Sequence, residues 1–198
     1  MAKHAGQTAQ AMMGNSTDQA PTPSLAPLAA FELGRRRYGV AMSEQLRPQK
    51  RGRKIAMTAA EIDAFLAEQR TCRVASIGPD GPHATPLWFY WDGTYFWLYS
   101  ITRSQRWADL QRDPRIGIVV VAGQDFAELR GVEITGTAHV VGEVPRTGEV
   151  HDALAPVERT FAGKYFGIDE MFHDQQHAWL RIDPTKIASW DFRKLAGS

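Results

Sequence analysis

The seven residues from Ser100 to Arg106, Ser-Ile-Thr-Arg-Ser-Gln-Arg, combine hydroxyl and guanidinium groups in a pattern suited to binding an anion. An apolar run ends here, and Arg103 and Arg106 fall in the first turn of a predicted helix. Free backbone N–H groups, the positive end of the helix dipole and two guanidinium groups together favour a phosphate. A capped helix with solvated arginines fits the same residues, so the segment alone leaves both interpretations open.

Aromatic residues are concentrated immediately before this segment. Most of them are expected in a protein core or a subunit interface, although alternate members could instead line the site of a flat heteroaromatic ligand. The group consists of Trp88, Phe89, Tyr90, Trp91, Tyr95, Phe96, Trp97 and Tyr99.

Other chemically capable residues give weaker signals. His173 and His177 have the spacing of two zinc ligands on a helix, but a strand predicted just downstream leaves little helix to carry them, so we predict no metal site. Cys72, the only cysteine, is expected to be a small buried apolar residue rather than a nucleophile. The sequence also lacks a phosphate-binding Gly-Lys-Ser/Thr loop, a dinucleotide-type glycine fingerprint and a nucleophile elbow.

Charge is distributed unevenly over the 198 residues. Residues 1–54 contain nine Lys or Arg and three acidic residues, are rich in Ala, Gln, Thr, Ser and Pro, and are predicted to form a mostly disordered basic extension, with a short helix possible over 28–37. Weak contact of this tail with anionic surfaces is compatible with its charge, but no motif for specific nucleic-acid binding accompanies it. A single cysteine, no signal peptide and no apolar run of roughly 20 residues predict a cytoplasmic protein without a transmembrane segment.

The folded domain is predicted over residues 55–198. A capping box at Thr58 and Glu61 begins a first helix, a second short helix carries Trp107 and Leu110, and a third is predicted over 147–165 with a break or restart at Pro156. Hairpin turns and alternating patterns predict strands over 72–77, 83–91, 94–100, 115–122, 129–141, 178–182 and 187–190.

Three features refine the strand predictions. Pro86 indicates a sheet edge or a bulge, and Gly136 indicates a bulge. The unbroken apolar run 116–121 predicts a strand buried on both faces. Because hairpin-linked strands dominate and the helices are inserted between them, the pattern favours a mainly β, antiparallel barrel.

Several short motifs, taken in order, resemble a known family. They are 72–77 (Cys-Arg-Val-Ala-Ser-Ile), 78–83 (Gly-Pro-Asp-Gly-Pro-His), 85–88 (Thr-Pro-Leu-Trp), 109–115 (Asp-Leu-Gln-Arg-Asp-Pro-Arg), 136–138 (Gly-Thr-Ala), 182–184 (Ile-Asp-Pro) and Trp190. Over about residues 55–193 the chain resembles the pyridoxamine 5'-phosphate oxidase-like FMN-binding split barrels. More narrowly, it is similar to the branch of deazaflavin-dependent reductases, whose cofactor is coenzyme F420.

The resemblance implies a homodimeric split barrel of about six strands, with two cofactor sites at the subunit interface. It places His83, Ala84, Thr85, Pro86 and Leu87 along the cofactor ring, and Tyr99, Ser100, Thr102 and Arg103 along its ribityl chain and phosphate. Arg106 stands where relatives usually carry a phosphate-binding lysine. Phe126 and Leu129 would reach the partner subunit's site.

The function implied is hydride transfer from the reduced deazaflavin to an electron-poor quinone, enone or tetrapyrrole. No side chain is an obvious essential acid; solvent, Tyr99 or His83 could supply the proton. An FMN-dependent oxidoreductase on the same barrel is the alternative enzyme. A non-catalytic barrel that binds a cofactor, haem or fatty ligand is the alternative outside enzymes.

Overall fold

Six strands close into one antiparallel barrel in the computed structural model, which describes residues 46–50 and 52–196. The strands follow the order β1-β2-β3-β6-β5-β4 around the barrel, and β4 pairs with β1 to close it. The mainly β, six-stranded antiparallel fold is therefore confirmed. The strands are β1 (Thr71–Gly78), β2 (Gly81–Trp91), β3 (Phe96–Ile101), β4 (Arg115–Ala122), β5 (Arg130–Val141) and β6 (His177–Asp191).

Helices pack on the barrel from three places in the chain: α1 (Ala59–Glu68), α2 (Gln105–Arg112) and α3 (Ala155–Phe166). The predicted capping box begins α1: the Thr58 hydroxyl accepts the Glu61 N–H, and the Glu61 carboxylate accepts the Thr58 N–H. Apolar side chains of α1 and α2, including Phe65, Trp107 and Leu110, join the core inside the barrel. Among the described residues, no helix is long and apolar enough to cross a membrane.

Pro86 lies at a sheet edge, as predicted. It pairs with Arg73 of β1 in an unbroken register, while β2 pairs with β3 only from Phe89 to Trp91. The stretch of β2 before Phe89 therefore has one unpaired side, where a residue without an N–H donor is tolerated.

The prediction that the 116–121 strand is buried on both faces is wrong for the single chain. Ile116, Ile118 and Val120 are buried, whereas Val121 is 40% exposed and Val119 is half-buried. The run is apolar on both faces, but only the face toward the barrel interior is covered by this chain.

The last two predicted strands are one continuous strand, β6, so the predicted break at Asp183-Pro184 is wrong. The register between β5 and β6 does shift at the predicted position, between Thr135 and Gly136, but β6 carries the extra residue: Thr135 pairs with Lys186 and Gly136 with Pro184, so Thr185 is skipped. The shift accommodates the proline without ending the strand.

The helix predicted over 147–165 begins only at Ala155, with Pro156 in its first turn. Proline is tolerated there because the N–H it lacks would have no partner within the helix. Val150, within the predicted helix but before the observed one, is 97% exposed. The apolar face of α3 instead packs on the outside of the barrel in a second cluster that includes Leu154, Phe161 and Trp179.

Part of the N-terminal extension contacts the barrel. The Gln49 side chain accepts from the Ser189 N–H and donates to the Ser189 carbonyl, and Arg47 forms an isolated parallel bridge with Lys186. The helix suggested over 28–37 and most of the predicted disordered segment lie outside the described residues. The domain boundary at 54/55 stays a prediction.

Gly136→Ala is expected to destabilise the barrel, because a Cβ at this position would lie 2.5 Å from the Asp183 carbonyl oxygen. The overpacking should cost about 1–3 kcal/mol, which lowers the melting temperature by roughly 3–10 °C. The matched control is Gly163→Ala in α3, where the nearest atom lies 3.9 Å from the added Cβ and no loss is expected. Equal melting temperatures for wild type and Gly136→Ala, measured by calorimetry, would contradict the assigned role of the bulge.

Candidate functional site

Arg106, the second residue of α2, is a buried cation at the place where α2, β2 and β3 meet. Its side chain donates to the Thr85 hydroxyl of β2 at 2.5 Å and to the Ser100 hydroxyl of β3 at 3.2 Å. Only 6% of Arg106 is exposed, and burial lowers the pKa of its guanidinium. The structure thus brings together three of the predicted phosphate and ring contacts.

This guanidinium has no counter-ion in the part of the chain that the structure describes. No carboxylate oxygen there lies within 4.0 Å of it, and its buried Nε has no hydrogen-bond partner. A buried, unpaired charge is unfavourable unless something compensates it. Because Thr85 and Ser100 accept from Arg106, their own O–H hydrogens remain able to donate to an anion.

The segment before α2 is arranged as a capped helix start. Ser104 is the N-cap and accepts from the Trp107 N–H, while Thr102 donates to the Gln176 carbonyl instead. Arg103 precedes the cap and is exposed. Arg103 therefore presents a free-standing charge outside the barrel, and Arg106 presents a buried one.

The five predicted ring contacts on β2 divide between two faces. His83, Thr85 and Leu87 are partly buried, whereas Ala84 and Pro86 are exposed. A strand alternates its side chains, so a ligand lying on one face would contact the other set only through backbone groups.

Leu87 and Tyr99 line a cleft of about 560 Å³ between β2, β3 and the segment after α3. We call it the aromatic cleft, and its walls include Trp88, Tyr99, Phe166, Phe172, Asp174 and His177. The sequence indicated the aromatic residues of β2 and β3, but not those that α3 and its following segment add. Others of the predicted aromatic group, such as Phe89 and Phe96, are buried in the barrel core.

Phe126 and Leu129 do not join the other predicted residues within one chain. Phe126 is 69% exposed and packs edge-on against Phe192, with ring centroids 4.8 Å apart. The turn that holds both residues follows β4, whereas α2 precedes it, and an eight-residue strand spans roughly 25 Å. A contribution to a partner subunit's site stays a prediction.

Asp109 is a buried carboxylate whose place in the site was not apparent from the sequence. It is fully covered and accepts from Ser76, Gln105 and Arg112, which lower the pKa of its carboxyl, with Gln105 contributing most. His83 Nδ1 lies 3.8 Å from its Oδ2 without a hydrogen bond. A polar residue in a short helix is usually exposed to solvent, so helical periodicity gave no sign that Asp109 is buried. The only sequence signal was its place at the start of the 109–115 motif.

The two histidines considered as zinc ligands have different carboxylate partners: His173 contacts Glu158 and His177 contacts Asp174. No group of three or more His, Cys, Asp or Glu residues suited to a metal ion occurs among the described residues. Cys72 is fully buried, and burial raises the pKa of its thiol to about 12, which disfavours the reactive thiolate.

Residues 58–191 match the family model described as pyridoxamine 5'-phosphate oxidase. The chain belongs to this family. Membership places it among the flavin-type split barrels, whose cofactors and oxidoreductase chemistry agree with the class predicted from the sequence. A search of curated proteins found no match.

Several solved structures are similar to this chain. The conserved hypothetical protein Rv2991 from Mycobacterium tuberculosis is 32% identical, with a TM-score of 0.62 over 76% of this chain and 93% of that one. A FAD-binding protein from Mesorhizobium loti is 16% identical, with a TM-score of 0.53 over 68% and 93% of the two chains. A structure described as an F420 reductase is 21% identical, with a TM-score of 0.48 over 63% and 94%.

Proposed function

We propose that this protein binds the deazaflavin coenzyme F420 and uses it to reduce a small electron-poor conjugated molecule. The observation that carries the proposal is the buried Arg106 guanidinium, which has two hydroxyl neighbours and no counter-ion among the described residues. A cofactor phosphate is the anion that the family's chemistry would bring to it.

The charge balance of α2 supports an external anion. Asp109 lies three residues after Arg106, a spacing at which side chains on a helix can pair. Its carboxylate instead bonds Ser76, Gln105 and Arg112. The buried carboxylate of α2, Asp109, therefore does not neutralise the buried guanidinium of Arg106 on the same helix. An anion site requires such an unneutralised positive charge.

The remaining residues supply position and exclusion of water. The bound cofactor would supply a hydride, and the protein would hold its phosphate at Arg106 and its ring along β2. Thr85 and Leu87 lie two residues apart on the same face of β2, so the anion site and the wall of the aromatic cleft lie about 7 Å apart along one strand.

The same anion site fits the phosphate of FMN, so it does not by itself select the deazaflavin. An FMN-dependent oxidoreductase and a barrel that binds a cofactor without turnover remain the competing functions. Titration with FMN and with coenzyme F420 distinguishes the FMN-dependent oxidoreductase from the proposed function.

We also propose that the cofactor site is completed by a second copy of the chain. On the outer face of β1, β2 and β4, three small residues lie side by side: Ala75 pairs with Ala84 on one side and with Gly117 on the other. Ala75 and Ala84 are exposed, and Ile77 and Val121 on the same strands are more than a third exposed. A flat, small-residue face of this kind permits close approach of an identical face.

Titration of the purified protein with oxidised coenzyme F420 and, separately, with FMN tests the cofactor. Ligand fluorescence should report saturable binding with a clear preference for the deazaflavin. Preference for FMN would transfer the protein to the alternative oxidoreductase class, and binding of neither ligand would reject the proposed function.

Ala75→Arg tests the second copy, because it places a charge at the centre of the proposed interface. Wild type is expected to sediment as two chains and Ala75→Arg as one. Ala67→Arg, on the exposed side of α1, is the matched control and should remain a dimer. A monomeric wild type, or a dimeric Ala75→Arg, would contradict this interface.

A further inference from the structure

The aromatic cleft exposes an unusual concentration of large apolar side chains. Trp88 is 45% exposed, Phe166 50%, Ile168 47% and Phe172 75%, and all four line the same cavity. Single exposed apolar residues need no explanation, but several around one concave surface are typical of a binding site. Flat rings on its walls favour a flat, conjugated occupant, since such a ligand can stack on them.

One wall of the cleft is polar and carries an oriented imidazole. His177 Nδ1 lies 2.7 Å from Asp174 Oδ2, and the His177 ring stacks on Tyr99 with centroids 4.8 Å apart and planes at 15°. These two contacts fix both the tilt of the ring and the nitrogen that faces the carboxylate. Within the described residues His177 Nε2 has no hydrogen-bond partner, which leaves it available to a ligand.

Asp174 is itself held in place. Its Oδ1 accepts the backbone N–H groups of Gln176 at 2.9 Å and His177 at 3.1 Å. Burial opposes ionisation of this carboxyl, but these N–H groups and the His177 ring outweigh it and keep its pKa below the ordinary value. When both ring nitrogens of His177 carry hydrogen, Nδ1–H donates to the Asp174 carboxylate and Nε2–H is left to donate to a ligand.

The cleft adjoins the anion site. Leu87 belongs to the cleft, whereas Thr85, two residues earlier on the same face of β2, contacts Arg106. On β3, the cleft residue Tyr99 and the Arg106 contact Ser100 are adjacent in sequence but point to opposite faces, so the two sites adjoin along β2. A molecule in the cleft can therefore lie beside a cofactor anchored at Arg106.

We propose that the aromatic cleft binds the electron acceptor as a flat quinone and that His177, oriented by Asp174, protonates the quinone oxygen. This inference rests on the proposed function. His177 Nε2 would give its proton to one quinone oxygen, and solvent would return a proton to His177. A reduced deazaflavin bound beside the cleft would supply the hydride for the O–H bond at the other oxygen and would itself be oxidised, so that the electron pair displaced from that C=O bond ends on the oxygen that His177 protonates.

Binding is tested without turnover by titrating histidine-labelled protein with menadione, a two-ring quinone, and recording imidazole NMR signals. His177 signals, assigned with His177→Ala, should shift saturably. Phe172→Asp, a change of an exposed wall residue, should weaken the apparent affinity at least tenfold. Val150→Asp, which alters an exposed residue outside the cleft, is the matched control and should bind as wild type does. Unshifted His177 signals, or equal affinity in Phe172→Asp, overturn the cleft assignment.

Proton donation is tested by single-turnover reduction of menadione with the reduced deazaflavin. His177→Ala should slow the reaction by about 100-fold or more, the usual range for a lost general acid, with unchanged deazaflavin affinity and partial rescue by added imidazole. His173→Ala is the control, because His173 contacts Glu158 rather than Asp174. A full rate in His177→Ala, or a slow rate that imidazole does not raise, rejects His177 as the donor. If the deazaflavin binds neither the wild type nor any variant, the proposed function is rejected. The menadione titration still tests, independently, whether the aromatic cleft binds a quinone.

Discussion

The desolvated guanidinium of Arg106 is the constraint around which the rest of the site is arranged. It joins β2, β3 and α2 through Thr85 and Ser100 while lacking a counter-ion among the described residues. An unpaired charge in this position opposes folding unless the chain gains something from it. Asp109 of the same helix bonds Ser76 of β1 and not Arg106, so the charge of Arg106 stays unpaired. The buried, unpaired cation therefore lowers the free energy of unfolding, but it is already in position for an anion. This arrangement is expected at a binding site.

A second polar network fixes the wall of the aromatic cleft. Arg146 bonds the Glu158 carboxylate, which also accepts from Trp179 Nε1 at 2.9 Å, and so ties α3 to β6. Tyr165 adds a further link, because its hydroxyl accepts from the Phe89 N–H of β2 and lies 2.8 Å from the Phe89 carbonyl oxygen. α3 is therefore held firmly against the barrel, whereas the apolar residues that follow it remain exposed to solvent.

Local chemistry decided which parts of the fold could be predicted. The capping box of α1, the Pro86 edge and the Gly136 bulge follow from interactions within a few residues, and all three were confirmed. Two predictions were wrong: α3 begins at Ala155 rather than at 147, with Pro156 in its first turn, and Pro184, beside the register shift, does not divide β6 into two strands. The anion residues were signalled by their types. The pairing of His177 with Asp174 and the closure of the cleft depend on β2, β3 and α3 meeting in space, which no local pattern records.

The binding of the cofactor phosphate by Arg106 is tested by comparing the affinities of wild type and Arg106→Met for coenzyme F420 and for its phosphate-free deazaflavin. Charge-assisted hydrogen bonds of about 1.5–3 kcal/mol correspond to roughly 10- to 100-fold in affinity. Arg106→Met should lose that factor for the phosphate-bearing cofactor only and bind both ligands alike, while Arg112→Met, on the same helix but bound to Asp109 and the Ile77 carbonyl, should retain the wild-type preference. An Arg106→Met protein that still prefers the phosphate-bearing cofactor as strongly as wild type does would contradict the binding of that phosphate by Arg106.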